Sequence, residues 1–411
     1  MKPSLLFLCH RIPFPPNKGD KIRSYHLLRH LSGHFDIYLA TFVDDPDDWQ
    51  WVSEVEKYCT DSFFKELKPL AGRLRSLSGF LQGRPLCMPY YHNAEMQTWI
   101  NARVEEHSIS HALVYSAAMS QYALSPKLPF ERRVIDFVDI DSDKWAQYAA
   151  LKSWPMNWVY RREGKLLLSE EREVAAKFDA SLFVSSAEAQ LFKDLAPESA
   201  DKIGFYNNGV DTVYFSPEAE LLNPYGKADR VLVFTGAMDY WPNVDAVVWV
   251  AKSIFPQIVK NNPAAKFYIV GSNPTDTVVQ LSKQPGVVVT GRVEDVRPYL
   301  KYAAAAVAPM RIARGIQNKV LEAMAMEKPV IVTDQALEGI GAVDGEQVLL
   351  ANTAVAIEKL VQQLFSGEYS DVGAQARQKV VNDFSWAENL PLVSELLGNG
   401  TMISCQEGAH G

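Results

Sequence analysis

Cysteine is scarce in this chain. There are four in 411 residues, Cys9, Cys59, Cys87 and Cys405, widely separated and without a C-x-x-C pair. That excludes a disulfide-stapled scaffold and a zinc ribbon, and it reads as reduced thiols in a reducing compartment with no metal site implied. Long apolar runs are missing as well: nothing approaches the roughly 18–20 residues of a membrane-spanning helix. The N-terminal apolar run, Leu5 to Cys9, is followed by His10 and Arg11. It is shorter than the roughly 7–15 residues of a secretory signal core, so a buried first strand is expected. Positive charge is not in excess; the formal net charge is −8, which argues against a general nucleic-acid binder. The expected location is the cytoplasm, with peripheral attachment to the inner face of the cytoplasmic membrane as the membrane relation left open.

What is present is globular: 47% hydrophobic and 22% charged residues. Short apolar runs alternate with amphipathic stretches, the pattern of βαβ units and parallel sheets. Strands are expected at Ser4–His10, Asp36–Val43, Ala112–Tyr115, Arg133–Val138, Ser181–Ser185 and Lys202–Asn207. A second set follows at Arg230–Thr235, Lys266–Val270, Val287–Thr290, Ala305–Ala308, Pro329–Thr333 and Gln347–Leu350. Two sets imply an α/β chain of two doubly wound, Rossmann-like domains. The expected limits are 1–215 for the first, 216–228 for a linker rich in turn residues, 229–383 for the second, a helix at 384–397 returning toward the first domain, and a disordered tail at 398–411.

The most informative stretch is Gly315 to Thr333, which reads as loop, helix and buried strand. Lys319 and Glu322 are three apart and share a helix face near its N-terminal end. That end carries unpaired N–H groups and partial positive charge, which suits a phosphate. Lys319 adds a full charge, and Glu322 can accept hydrogen bonds from two neighbouring hydroxyls such as those of a ribose. Diphosphate beside ribose is a nucleoside diphosphate. In open α/β sheets ligands lie beyond the carboxyl ends of the strands, which singles out loops that hold His10, Gly19, Asp139, Gly236, Gly271, Arg292 and Arg314.

Six motifs in order carry a resemblance across nearly the whole chain. They are Pro16-Asn17-Lys18-Gly19-Asp20, Asn208-Gly209-Val210-Asp211, Phe234 to Asn243, Val270-Gly271, Thr290-Gly291-Arg292-Val293 and the Lys319–Glu322 helix. In these the chain resembles the GT-B glycosyltransferases, and within them the retaining enzymes of family 4. Asp136 to Ser142 and Arg314 to Lys319 make it most similar to bacterial sugar transferases associated with exosortase and PEP-CTERM exopolysaccharide systems. The resemblance implies two domains facing across a cleft, the first on the acceptor side. It implies transfer, with retention, of a hexosyl group from a UDP-, GDP- or ADP-linked sugar to a sugar or lipid-linked saccharide, in exopolysaccharide or cell-surface glycan synthesis, without a metal.

By position, Glu322 matches the family's ribose ligand and Lys319 a basic residue near the diphosphate. Arg292 follows the glycine of a loop that shapes the base pocket, Gly19 matches the first domain's glycine turn, and Gly271 is a close-approach glycine. The donor site is thus expected at Gly19, Gly236, Gly271, Arg292, Arg314, Gly315, Ile316, Gln317, Asn318, Lys319 and Glu322, with Lys319, Arg292, Asp139 and His10 as the catalytic candidates. Three departures stand out. Arg314 occupies the position of a Glu eight residues before the ribose Glu. The loop from Gly236 to Asn243 has no basic residue where many relatives have two. The cleft histidine has no clear match, and Asp139 sits at a strand end instead. A nucleotide-sugar epimerase of the same fold and a non-catalytic nucleotide-sugar scaffold are the competing readings.

Two segments carry a basic, aromatic or leucine-rich pattern: residues 65–84, with Leu70, Leu74, Leu77 and Leu81 among Lys68, Arg73, Arg75 and Arg84, and residues 154–165, with Trp154, Trp158, Arg161 and Lys165. Such a pattern suits an anionic membrane surface, and equally a packed core face with a charged rim. Tyr240 and Trp241 are likewise open between ligand stacking and core.

Overall fold

The computed structural model describes residues 2–398 except 17, 126, 127, 152, 314 and 315, with the side chains of 150 and 151 also set aside. The expected tail beyond Gly398, with Cys405, and the expected donor residues Arg314 and Gly315 lie outside the described residues. The chain divides into two compact units: one runs through Asn207 and resumes at Asn389, and the other is Asn208–Glu388.

The first unit is built on strands β1 (Ser4–Cys9), β2 (Asp36–Val43), β3 (Asp61–Glu66), β4 (His111–Tyr115), β5 (Arg132–Val138), β6 (Ala180–Phe183) and β7 (Ile203–Phe205). They form one sheet in the order β3-β2-β1-β4-β5-β6-β7, and every described pairing in it is parallel. Residues Leu5 to Cys9 are all fully buried, as a central strand covered on both faces requires. Each such aliphatic side chain is worth about 1.5–3 kcal/mol on burial. Helix α1 (Gly19–Ser32) follows β1. After β3 come the short helices α2 (Pro69–Ser76), α3 (Ser78–Gln82) and α4 (Cys87–Tyr90). Between β5 and β6 lie α5 (Asp141–Leu151) and α6 (Met156–Lys177), separated at Pro155 where the sequence places a break.

Under α1 sits a buried ion pair. Arg23 donates from Nε to Asp136 Oδ2 at 2.8 Å and from Nη1 to the Tyr206 carbonyl at 3.0 Å, and the Tyr206 hydroxyl donates to the same carboxylate. Burial opposes the Arg23 charge, but Asp136 outweighs it and keeps the guanidinium charged. The pair pins α1 to the ends of β5 and β7.

The second unit holds β8 (Arg230–Thr235), β9 (Ala265–Val270), β10 (Val287–Gly291), β11 (Ala305–Ala308), β12 (Val330–Val332) and β13 (Leu349–Leu350), all parallel in the order β10-β9-β8-β11-β12-β13. Helix α7 (Trp241–Trp249) follows β8, and α8 (Asn318–Ala325) lies between β11 and β12. Helix α8 buries Val320, Leu321, Ala323, Met324 and Ala325, so only the face of Lys319 and Glu322 is left partly open.

Two expectations about organisation need revision. Residues 208–228, where the sequence suggests a linker from 216, pack on the second unit. Arg377, on helix α9 (Val372–Phe384), donates to the Phe215 and Thr212 carbonyls, Lys301 donates to Ala219 O at 2.6 Å, and the Tyr225 hydroxyl donates to Tyr299 O at 2.7 Å. The unit boundary therefore falls at Asn207/Asn208. The segment from Phe384 is not one helix: it breaks at Leu390 before α10 (Pro391–Leu397). That last helix packs within the first unit, where Ser394 Oγ lies 3.2 Å from His30 Nε2 and Arg132 Nε donates to Leu396 O at 3.1 Å.

Candidate functional site

In the second unit the strand order reverses between β8 and β11, and the loops that follow these two strands open on the same end of the sheet. Three glycines pave this end. The Gly236 amide donates to the Val270 carbonyl at 3.0 Å, and the Gly271 amide donates to the Gly291 carbonyl at 3.2 Å. A Cβ on Gly271 would stand 1.7 Å from the Gly236 carbonyl oxygen, so no other residue fits there without moving the backbone. A Cβ on Gly236 would stand 2.7 Å from Asn243 Nδ2 and 3.5 Å from Lys319 Cε. The glycines keep a low floor beneath the lysine.

Lys319 reaches across the reversal point from α8 to α7. Its Nζ donates to Asn243 Oδ1 at 2.6 Å and lies 5.0 Å from the Phe234 ring centroid. Asn243 is buried and its Nδ2 donates to Ala237 O at 2.9 Å, so one amide both holds the Gly236 loop and aims the ammonium. Burial pushes the Lys319 amine down to about 8 despite Glu322 nearby. Burial pushes the Glu322 carboxyl up to about 7 against the pull of Lys319. Each is the other's opposite charge, and among the described residues neither makes an ion pair within 4.0 Å. A site of this kind is poised for an anion at Lys319 and for hydroxyl donors at Glu322.

Gln317 and Asn318 form the N-terminal turn of α8 at this same end, and Ile316 packs toward Gly339. Arg292 follows Gly291 directly and is exposed, one loop from the Gly271 floor. Arg311 is taken up elsewhere: its Nη2 and Nε bind Asp245 and its guanidinium lies 5.3 Å from the Trp249 ring. Tyr240 and Trp241 are exposed beside the Gly236 loop, which removes the core reading for them.

Sequence reasoning noted Asn243 only as the end of a motif and passed over it as a site residue. Its signal was a polar side chain in the first turn of a helix otherwise rich in Val, Ala and Trp. Its partner Lys319 lies 76 residues on, a link that spacing does not reveal.

The first unit has its own reversal point between β1 and β4. His10, at the end of β1, stacks on Tyr115 at 5.8 Å and meets Tyr91 edge-on at 6.0 Å. Its Nε2 is 3.5 Å from Asp20 Oδ2, which also accepts from Arg11 Nη1 at 2.5 Å, while Arg11 Nε donates to Asp44 at 2.8 Å. Burial would raise the Asp20 carboxyl, but the hydrogen bond to His10 and the charge of Arg11 hold it well below the usual range. The His10 Nδ1 atom is buried without a hydrogen-bond partner. Gly19 opens α1 next to Asp20, and a Cβ there would meet nothing within 4 Å.

Two non-glycine residues at these strand ends take left-handed backbone, Ser116 at φ 82° and Val138 at φ 71°. Such conformations cost on the order of 1–3 kcal/mol each. Both are held by Asp136, whose carbonyl accepts from the Ser116 amide and whose side chain accepts from the Val138 amide.

Asp139, just beyond Val138, is occupied by Lys144 Nζ at 2.6 Å. Its neighbour Asp141 begins α5, and the amide and hydroxyl of Ser142 are bound by Glu171 rather than by a local cap. Among the described residues no group of three or more His, Cys, Asp or Glu is close enough to hold a metal ion. The structure thus gathers Gly236, Gly271, Lys319 and Glu322 in one unit and His10 and Gly19 in the other. Asp139 is drawn into an ion pair.

Residues 229–366 match the family described as "Glycosyl transferases group 1". The chain is 21% identical over 373 residues to an uncharacterised 44.6 kDa protein in the cps region of Klebsiella pneumoniae, covering 84% of this chain and 87% of that one. Among solved structures it resembles a glycosyltransferase from Rickettsia africae, with a TM-score of 0.64 at 16% identity over 97% of this chain and all of that one. It also resembles Anabaena HepE in complex with UDP and glucose, with a TM-score of 0.62 at 12% identity over 96% of this chain and 99% of that one. The two parallel sheets with flanking helices are those of an α/β fold resembling the GT-B glycosyltransferases.

Proposed function

We propose that this chain is a glycosyltransferase that moves a sugar from a nucleoside-diphosphate donor to a saccharide or lipid-linked saccharide, with retention, in the synthesis of an exopolysaccharide or other cell-surface glycan. The observation that carries the reading is the Lys319–Asn243–Glu322 arrangement over the Gly236–Gly271 floor. The group 1 match spans these residues, and HepE, which shares the fold, is titled as a complex with UDP and glucose. The cps-region protein of Klebsiella pneumoniae supports the surface-glycan setting.

The difficult event in such a transfer is departure of the nucleoside diphosphate while the anomeric carbon becomes cationic. Fixed positive groups at the leaving diphosphate lower that barrier most. Lys319 supplies a charge already desolvated and aimed by Asn243, so little reorganisation is needed as negative charge builds. The amides at the start of α8 add their dipoles, and Arg292 supplies a second cation from its exposed loop. Glu322 receives the ribose hydroxyls and so fixes the diphosphate in register with Lys319. Retention fits a front-face reaction, in which the departing phosphate oxygen takes the acceptor proton. In the first unit, His10 is the group for the acceptor, its ring fixed at the end of β1 by Asp20 and two tyrosines. No metal is needed in this scheme.

The test is product analysis with UDP-, GDP- and ADP-sugars and a panel of saccharide and polyprenyl-linked acceptors. Transfer that requires acceptor and disappears in Lys319→Ala supports the reading. Acceptor-independent conversion of the donor sugar would instead make the protein an epimerase, and nucleotide binding without turnover a scaffold.

A further inference from the structure

Four leucines on and between α2 and α3 do not face the core. Leu70, Leu74, Leu77 and Leu81 recur at 4-3-4 spacing along α2 and α3 and are 75%, 71%, 56% and 92% exposed. The same helices touch the body of the unit through glycines. A Cβ on Gly72 would stand 2.6 Å from the Tyr90 ring, and one on Gly79 would stand 3.0 Å from the Arg84 carbonyl. This inverts the usual arrangement of an amphipathic helix, whose large apolar side chains pack inward.

A second exposed apolar group joins it. Trp154, Met156 and Trp158, at the start of α6, are 79%, 45% and 55% exposed. Trp158 stacks on Phe80 of α3 at 6.2 Å. Arg162 lies 4.6 Å above the same Phe80 ring and donates to Gly79 O at 2.7 Å. The two segments, 78 residues apart at Phe80 and Trp158, are one surface. A contiguous apolar patch of this kind marks an interaction site.

Charge identifies what it meets. In a chain of net charge −8, residues 67–84 contain Lys68, Arg73, Arg75 and Arg84 and no Asp or Glu. Arg161 and Lys165 add exposed cations on α6, where Glu163 is buried and consumed by Arg162 and the Leu86 amide. The carboxylates nearby are Glu66, 3.4 Å from Lys68, and Glu170, 3.8 Å from Arg84. Arg75 and Arg84 also line a surface hollow with His92 and Gln121. Leucine and tryptophan side chains in a ring of lysine and arginine suit the boundary of an anionic bilayer: the apolar groups enter the acyl region and the cations stay with the phosphates.

We propose that this face of the first unit docks on an anionic lipid bilayer, with Leu70, Leu74, Leu77, Leu81, Trp154 and Trp158 inserted. It stands on surface chemistry alone and does not need the transferase reading. If that reading holds, the dock has a consequence: α4 carries Tyr90 against Gly72 and is followed by Tyr91 against His10, so the bilayer face lies one layer from the reversal point where a lipid-linked acceptor would be received.

The experiment is flotation of the full chain with vesicles of phosphatidylcholine alone and of phosphatidylcholine with phosphatidylglycerol, at low and high salt. The expected result is flotation with the anionic vesicles, weakened by salt and by about fivefold in Arg73→Glu. In Leu74→Ser/Leu81→Ser, affinity should fall by at least about tenfold, while far-ultraviolet circular dichroism and the nucleotide-induced rise in melting temperature stay unchanged, which separates lost docking from lost folding. Three results would overturn the proposal: wild type that floats with neither vesicle, a double-leucine variant that floats like wild type, or light scattering that shows a dimer of this chain dissociated by the leucine substitutions.

Discussion

At the scale of single residues, the second unit's site depends on two groups held near neutrality by burial. The signs of their shifts give a pH window. Lys319 must be protonated to attract a diphosphate, and its amine sits at about 8. Glu322 must be ionised to accept two hydroxyls, and its carboxyl sits at about 7. Nucleoside-diphosphate affinity should therefore peak between about pH 7 and 8. It should fall by roughly tenfold per pH unit on the alkaline side as Lys319 loses its proton, and on the acid side as Glu322 gains one. Titration calorimetry from about pH 5.5 to about pH 9.5 checks this; Glu322→Gln should flatten the acid limb and, by removing the carboxylate that raises the Lys319 amine, move the alkaline limb to lower pH. Asn243→Ala should weaken nucleotide binding by about tenfold to a hundred-and-fiftyfold, the worth of a hydrogen bond to a charged group, with the fold intact. Gly271→Ala acts on stability instead. Its Cβ meets the Gly236 carbonyl at 1.7 Å, so thermal unfolding should show a loss of about 1–3 kcal/mol together with lost nucleotide binding.

Elements divide into those written in local pattern and those that depend on distant neighbours. The central strands are legible because both of their faces are covered: Leu5 to Cys9 and Val330 to Val332 are unbroken apolar runs and fully buried. Strand β3, Asp-Ser-Phe-Phe-Lys-Glu, is not legible, because it lies at the sheet edge with every residue at least partly exposed and no apolar run to mark it. The helix that presents Lys319 and Glu322 was legible from its loop–helix–strand sequence, whereas the amide that aims the lysine was not, since the contact exists only once β8 and β11 are neighbours. The 65–84 segment shows the limit of periodicity. Leucine spacing announces an apolar face but not whether it turns inward, and here Gly72 and Gly79 decide that by filling the inner face. If so, Gly72→Val should lower stability to denaturant by driving a side chain into Tyr90, while Leu74→Ser should leave the unfolding free energy within about 0.5 kcal/mol of wild type, as for surface substitutions. A similar inversion of expectation applies to Asp136. It sits in the motif used for the resemblance, yet its role in the fold is to neutralise Arg23 and hold the turns at Ser116 and Val138. Removing it in Asp136→Ala leaves a buried guanidinium unpaired and should cost about 3–5 kcal/mol in denaturant unfolding.

At the scale of the whole molecule, the chain consists of two units, each with its own parallel sheet and its own reversal of strand order, and in the proposed function each bears a different half of the chemistry. The second offers a cation and a hydroxyl acceptor over a glycine floor. The first offers an imidazole between two tyrosines, and an apolar, basic face around the loops after β3 and β5. The central claim is that the second unit binds a nucleoside diphosphate through Lys319 and Glu322. Calorimetric titration of UDP, GDP and ADP into wild type, Lys319→Ala and Glu322→Gln tests it most directly. The account predicts saturable binding of at least one of the three at pH 7.5, a value inside the window of about 7 to 8 set by the two groups. Lys319→Ala should weaken binding of the diphosphate far more than binding of the corresponding nucleoside, and Glu322→Gln should weaken both. Wild-type binding that neither substitution alters, or no binding of any of the three, would contradict it.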